Sequence, residues 1–121
     1  MSRKTLLCVD DEVIGLHARK LVLERHGYHV LTAHDGEAGL SAFEKNQIDA
    51  VVLDYQMPGM TGGVVATAMK RTKPEVPIIL LSAYLSLPKH EASKVDAFLM
   101  KGESPQALLQ KIAELTDNVS P

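Results

Sequence analysis

Apolar positions along this chain follow two alternating rhythms. Short, nearly continuous runs rich in branched side chains recur at residues 5–9, 28–33, 48–53, 76–81 and 97–100. Each has strand length. The first, third and fourth lack an in-out alternation, as expected of strands covered on both faces. Between them the spacing becomes helical. Ile14, Ala18, Leu21 and Val22 fall at i, i+4, i+7 and i+8, with Gly27 as a stop. Asp35 is placed to cap a second helix carrying Ala38, Leu40 and Phe43. Val64, Val65, Ala68 and Met69 mark a third helix, ended before Pro74. A weaker fourth is predicted over about 87–95 with Ser86 as its cap. The fifth opens on Ser104-Pro105 and carries Leu108, Leu109, Ile112 and Leu115. Five strands alternating with five helices predict an α/β fold, a parallel sheet with helices on both faces and right-handed crossovers.

Composition narrows the field. The 121 residues suit a single domain, expected to have its core at about 4–116. Apolar residues at 45% and charged residues at 23% are ordinary for a folded soluble chain and argue against disorder. Thirteen Lys and Arg against fifteen Asp and Glu give a net charge of −2, so no basic excess exists to bind nucleic acid directly. The single Cys8 excludes an internal disulfide and a cysteine-based zinc site. No apolar run approaches bilayer length, so no membrane partner is expected. The N-terminal stretch reads as a strand ending at Asp10-Asp11 rather than a leader, and a cytoplasmic location is expected. His17, His26, His29, His34 and His90 lack close metal spacing, and Gly59, Gly62 and Gly63 are not followed by a Walker lysine.

In an open α/β sheet, ligands gather beyond the carboxyl ends of the strands, where strand order reverses. The first predicted strand ends in Asp10-Asp11, the third in Asp54, the fourth in Ser82 and the fifth in Lys101. Singly, each has an ordinary role: Asp10 or Asp11 as a helix cap, Asp54 as a turn former ahead of Pro58-Gly59, Ser82 and Lys101 as surface polar groups. Together they are harder to dismiss. Capping needs one aspartate, not two, and does not explain a third carboxylate at the same edge. Clustered like charges persist where a cation compensates them. Oxygen ligands without histidine or cysteine suit a hard ion, and Mg²⁺ better than Ca²⁺. A carboxylate beside such an ion and an ammonium is also equipped to attack phosphorus, giving an aspartyl phosphate.

These residues resemble the receiver domain of two-component response regulators. The resemblance rests on Val9-Asp10-Asp11-Glu12, the run from Asp54 through Gln56, Met57, Pro58, Gly59 and Met60 to Gly62, Leu81-Ser82-Ala83, and Ala97-Phe98-Leu99-Met100-Lys101. It implies a flavodoxin-like receiver fold with sheet order 2-1-3-4-5. It further implies that Asp54 accepts a phosphoryl group from a partner histidine kinase or phosphotransfer protein. Asp11 and Asp54 would bind Mg²⁺ by side chain, Gln56 by its backbone carbonyl, and Asp10 would assist, often through water. Ser82 and Lys101 would hold phosphoryl oxygens. Ser82 and Phe98 would act as the switch, remodelling the surface of helix four, strand five and helix five for a downstream partner or linked output domain. A homodimer formed on phosphorylation is a further expectation of the family. Receivers often follow the lysine with proline in a cis peptide; here Gly102 follows, and a cis bond before a non-proline residue costs about 2.5–4 kcal/mol, so a trans bond is expected.

Two positions bordering the site are not fixed by this chemistry, Gln56 and Tyr84. A Tyr84 ring screening phosphorus from water would lengthen the life of the acyl phosphate; plain loop packing is the ordinary alternative. Three other functions compete with the switch, which is not itself an enzyme. A haloacid-dehalogenase-type phosphohydrolase would want a second aspartate where Gln56 stands. A flavodoxin-like cofactor binder would want aromatics, and Trp is absent. A phosphorylation-independent docking module would not need the complete acidic set.

Overall fold

The computed structural model describes residues 3–83 and 88–117. Along the chain run β1 (Thr5–Val9), α1 (Val13–Arg25), β2 (His29–Ala33), α2 (Gly36–Lys45), β3 (Ala50–Asp54), α3 (Gly62–Thr72), β4 (Ile78–Ser82), α4 (Lys89–Ala92), β5 (Ala97–Met100) and α5 (Pro105–Thr116). The strands form one parallel sheet in the order β2-β1-β3-β4-β5, as expected. Tyr84 and Ser86 lie outside the described residues, and with them the expectations placed on both.

Alternate side chains of the inner strands build two cores. Leu7, Val9, Val51, Leu53, Ile78 and Leu80 pack with Phe43 of α2 and Val65 and Met69 of α3. Leu6, Cys8, Ala50, Val52, Ile79 and Leu81 pack on the other side with Leu16 and Leu23 of α1 and Ile112 of α5. Burial on both faces explains why these strands read as continuous apolar runs. It also pushes the Cys8 thiol up to about 12, which keeps it inert.

The sheet ladder extends to the strand ends and sets up the site. Asp54 pairs in register with Leu81, and Ser82 with Met100, so both belong to strands rather than to the loops that follow. Backbone bonds continue one residue further, from Asp10 N–H to Ala33 (3.1 Å), Tyr55 N–H to Leu81 (2.8 Å) and Lys101 N–H to Ser82 (2.8 Å). Gly59 takes a φ of +84° in the turn after Pro58, and Gly27 one of +93° after α1, where an L side chain would be strained. The Lys101–Gly102 peptide is trans.

Local chemistry corrects the helix reading in four places. Asp35 caps α2 as expected, accepting from Ala38 N–H at 2.7 Å. Ser104 sits at the start of α5 with Pro105 next, but its hydroxyl makes no capping bond. Thr61, not foreseen, caps α3. The helix predicted over 87–95 is only the single turn Lys89–Ala92 within the described residues. The largest departure is in α1. Ile14 is 88% and Leu21 50% exposed, whereas Leu16 and Leu23 are buried. From Ile14 to Leu16 is about 200° around a helix, so the true inner face is nearly opposite the apolar stripe. That inner face carries Arg19, a charge that a pattern reading turns outward.

Candidate functional site

Asp10, Asp11 and Asp54 each offer a carboxylate oxygen, and these oxygens lie within 4.8 Å of one another. Asp10 and Asp54 are buried, at 1% and 3% exposure, and Asp11 is exposed at the rim. The convergence follows from topology. β1 and β3 are neighbours at the point where strand order reverses, so their carboxyl ends open side by side. Asp10 is no helix cap in the ordinary sense: its Oδ1 accepts from Glu12 N–H at 2.9 Å, just ahead of α1.

Lys101, from the end of β5, reaches across this edge. Its Nζ lies 3.2 Å from Asp10 Oδ2, 3.3 Å from Asp54 Oδ1 and 2.9 Å from Glu12 Oε1. Burial alone would lower the ammonium's pKa. The bond to Glu12 and the charges of Asp10 and Asp54 outweigh it and raise the value above the ordinary lysine range. Asp54 is also raised, which for a carboxylate disfavours the charged form. Burial, then the charge of Asp10, push it up to about 6 against the pull of Lys101. Burial and the neighbouring acid together disfavour the charged form of Asp54, and an all-oxygen acidic set suits a hard divalent ion.

Ser82 is fully buried at the end of β4, between the strands that carry Asp54 and Lys101. Phe98 is half-buried on β5 and pairs with Leu80, on the sheet face that Ser82 shares by alternation. Gln56 is exposed two residues beyond Asp54. The loop it occupies closes on itself, Gly62 N–H bonding Tyr55 O at 2.7 Å.

Three contributors escape the sequence pattern. Glu12 is the closest partner of Lys101. Arg19 points inward from α1, with Nη1 3.3 Å from Asp10 Oδ2. Glu91 of α4 is buried against Gly63, pairs with Lys94 at 2.7 Å and is hydrogen-bonded by Tyr55. The Lys94 bond holds the Glu91 carboxyl below its usual range, and burial does not reverse this. α4 is thereby tied to the residue that follows Asp54. Only the phase of α1, fixed by Leu16 and Leu23, reveals Arg19; nothing local in the sequence signals Glu91.

The family model of the response regulator receiver domain matches residues 6–113. The transcriptional regulatory protein GlrR of Escherichia coli is 33% identical over 119 residues, covering 96% of this chain and 27% of its own length. The sensor histidine kinase GacS of Pseudomonas protegens is also 33% identical, covering 92% of this chain and 13% of its own length. The chain thus spans about a quarter or less of these two relatives. Among solved structures, a receiver domain protein from Methanospirillum hungatei superposes with a TM-score of 0.90 at 30% identity, covering 97% of this chain and 96% of that one. The response regulator TrrA of Thermotoga maritima, in complex with Mg²⁺ and BeF, gives 0.88 at 34% identity, covering 93% and 98%.

Proposed function

The chain belongs to the response regulator receiver domain family of two-component systems, and from that premise we propose that it is a phosphoacceptor switch charged at Asp54. The observation that carries this reading is the meeting of Asp54 Oδ1 with Lys101 Nζ at 3.3 Å inside the acidic pocket.

A carboxylate oxygen of Asp54 attacks the phosphorus of a phosphohistidine on a partner histidine kinase or phosphotransfer protein. An O–P bond forms, the N–P bond breaks, and the imidazole leaves with the electron pair and takes up a proton. Asp54, raised toward 6 by burial and Asp10, is still mostly ionised at neutral pH and is a better nucleophile for that shift. Lys101 offsets charge on the transferring oxygens, and Ser82 donates to one of them. Mg²⁺, held by Asp11, Asp54 and the Gln56 carbonyl with Asp10 assisting, would supply further charge neutralisation. The three acidic side chains fit that ion by donor type and spacing. Val13 and Ile14, exposed beside Asp11, offer the donor protein apolar contact next to the acceptor.

Once Asp54 is phosphorylated, Ser82 moves to the phosphoryl group and Phe98 follows inward on the same sheet face. Phe98 has no hydroxyl to satisfy, so apolar packing decides that move. The α4, β5 and α5 surface changes for a downstream partner or linked output domain. The chain is read as a cytoplasmic signalling component that assists its own phosphorylation rather than as an enzyme. The test is incubation with acetyl phosphate and Mg²⁺ followed by intact mass. One added phosphoryl group, absent in Asp54→Asn, is expected; an unmodified wild-type chain, or a group that survives Asp54→Asn, overturns the reading.

A further inference from the structure

Two cations converge on one oxygen of the acid pocket. Asp10 Oδ2 lies 3.2 Å from Lys101 Nζ and 3.3 Å from Arg19 Nη1. Lys101 has an evident use at the phosphoryl group. Arg19 does not: it comes from α1 and pairs with Asp10, whereas Asp54 has its ion pair with Lys101. The Arg19 side chain is 15% exposed and lines a cavity of about 250 Å³ whose other walls include Val22, Leu23, Leu81 and Leu108. An arginine among such walls is retained by its carboxylate partner. Asp10, Asp11, Asp54 and the rim Glu12 against Lys101 alone would carry a net charge of −3, and Arg19 brings this to −2.

We propose that Arg19 is a positioning residue that sets the divalent-cation affinity of the pocket, weakening it by engaging Asp10 from within. The inference rests on the metal-assisted reading above and adds a residue to it. Two consequences of losing Arg19 oppose each other. Asp10 would lose a partner that orients it, which weakens metal binding, and the pocket would lose a repelling charge, which strengthens it. The second wins, because Asp10 keeps Glu12 N–H on Oδ1 at 2.9 Å and Lys101 on Oδ2. Removing one unit charge this close to a ligand oxygen changes cation affinity by roughly tenfold even with the screening of bulk water.

The experiment is calorimetric titration of Mg²⁺ into the wild-type chain, Arg19→Met, Arg19→Lys and Asp11→Asn, with the Mg²⁺-induced rise in Tm as a second readout. Arg19→Met fills the same apolar walls without charge and is expected to bind Mg²⁺ about tenfold more tightly, with a larger Tm rise. Arg19→Lys restores the charge and is expected to return to within about twofold of wild type. Should Arg19→Met not fold, Arg19→Gln carries the same expectation. Unchanged or weaker binding in the uncharged variant overturns the proposal, as does equal tightening in Arg19→Lys. Binding that Asp11→Asn abolishes but the uncharged Arg19 variant leaves unchanged removes Arg19 alone. A wild-type chain that binds no Mg²⁺ removes the metal-assisted reading and this inference with it.

Discussion

Lys101 holds Glu12 more closely than it holds Asp54, at 2.9 Å against 3.3 Å. The ammonium is therefore divided between a rim carboxylate and the proposed acceptor, and serving a phosphoryl oxygen fully would mean leaving the first. Glu12 is 70% exposed, so the pair is well solvated and its contribution to stability is small. Glu12→Gln is expected to change unfolding free energy by less than about 1 kcal/mol. The same change frees Lys101, and phosphorylation by acetyl phosphate should speed up by about 2–5-fold. Stopped-time intact mass measures the rate; a slower reaction would show that Glu12 helps rather than restrains.

Asp54 gives a pH signature in metal-free solution. Its folded pKa of about 6 stands above the ordinary 3.8, so protonation favours the folded state. That contribution is fully present below the ordinary value and is lost as pH rises through about 6. Asp54→Asn removes the penalty of a buried, ionised acceptor. Its stability advantage over wild type should grow from near zero at about pH 4 to roughly 1–3 kcal/mol above pH 6, then level off. Urea titrations of both proteins in a chelator across this range test it, and a difference that shrinks with rising pH would reverse the sign argued here.

Divalent metal should offset that penalty. With Mg²⁺ at a hundredfold excess over its dissociation constant, the chain is expected to gain about 2.7 kcal/mol of stability. EDTA should remove the gain, and Asp11→Asn should lack it. Thermal melts with and without chelator suffice. Stabilisation that persists in Asp11→Asn would place the ion elsewhere.

The two glycines that open α3 separate backbone from side-chain constraint. A Cβ on Gly62 would meet Asp54 O at 2.6 Å and Tyr55 Cα at 2.8 Å, both backbone. Gly62→Ala should therefore cost roughly 1–3 kcal/mol despite the better helix propensity of alanine. A Cβ on Gly63 would meet Glu91 Oε1 at 2.1 Å, the end of a side chain. Gly63→Ala should be destabilising in the wild-type background and neutral or stabilising when combined with Glu91→Ala. Denaturant melts of the double-mutant cycle give the answer; simple additivity would mean that Glu91 and Gly63 do not press on each other.

Much of this architecture is legible in the amino-acid sequence because parallel strands buried on both faces leave uninterrupted apolar runs. The runs ending at Asp10, Asp54, Ser82 and Lys101 mark the site for the same reason: a strand end is visible where apolarity stops. The phase of α1 is not visible. Its inner face mixes Leu16 and Leu23 with Arg19, and a charge that finds a buried partner from another element looks outward-facing when read locally. Glu91 is hidden in the same way, since its partners Gly63 and Tyr55 are far away in sequence. Tertiary contacts rather than propensities account for Arg19 and Glu91.

Among the described residues β5 is the outermost strand on its side of the sheet, with β4 as its only hydrogen-bonded neighbour strand and none of its own residues fully buried. Its terminal lysine therefore works as a second mooring line, slung over the end of β4 to the acids beyond. A change of charge at position 54 would act directly on that line, because Lys101 Nζ lies 3.3 Å from Asp54 Oδ1. Under the proposed phosphorylation, the new charge would be felt first at an edge of the sheet rather than in its interior.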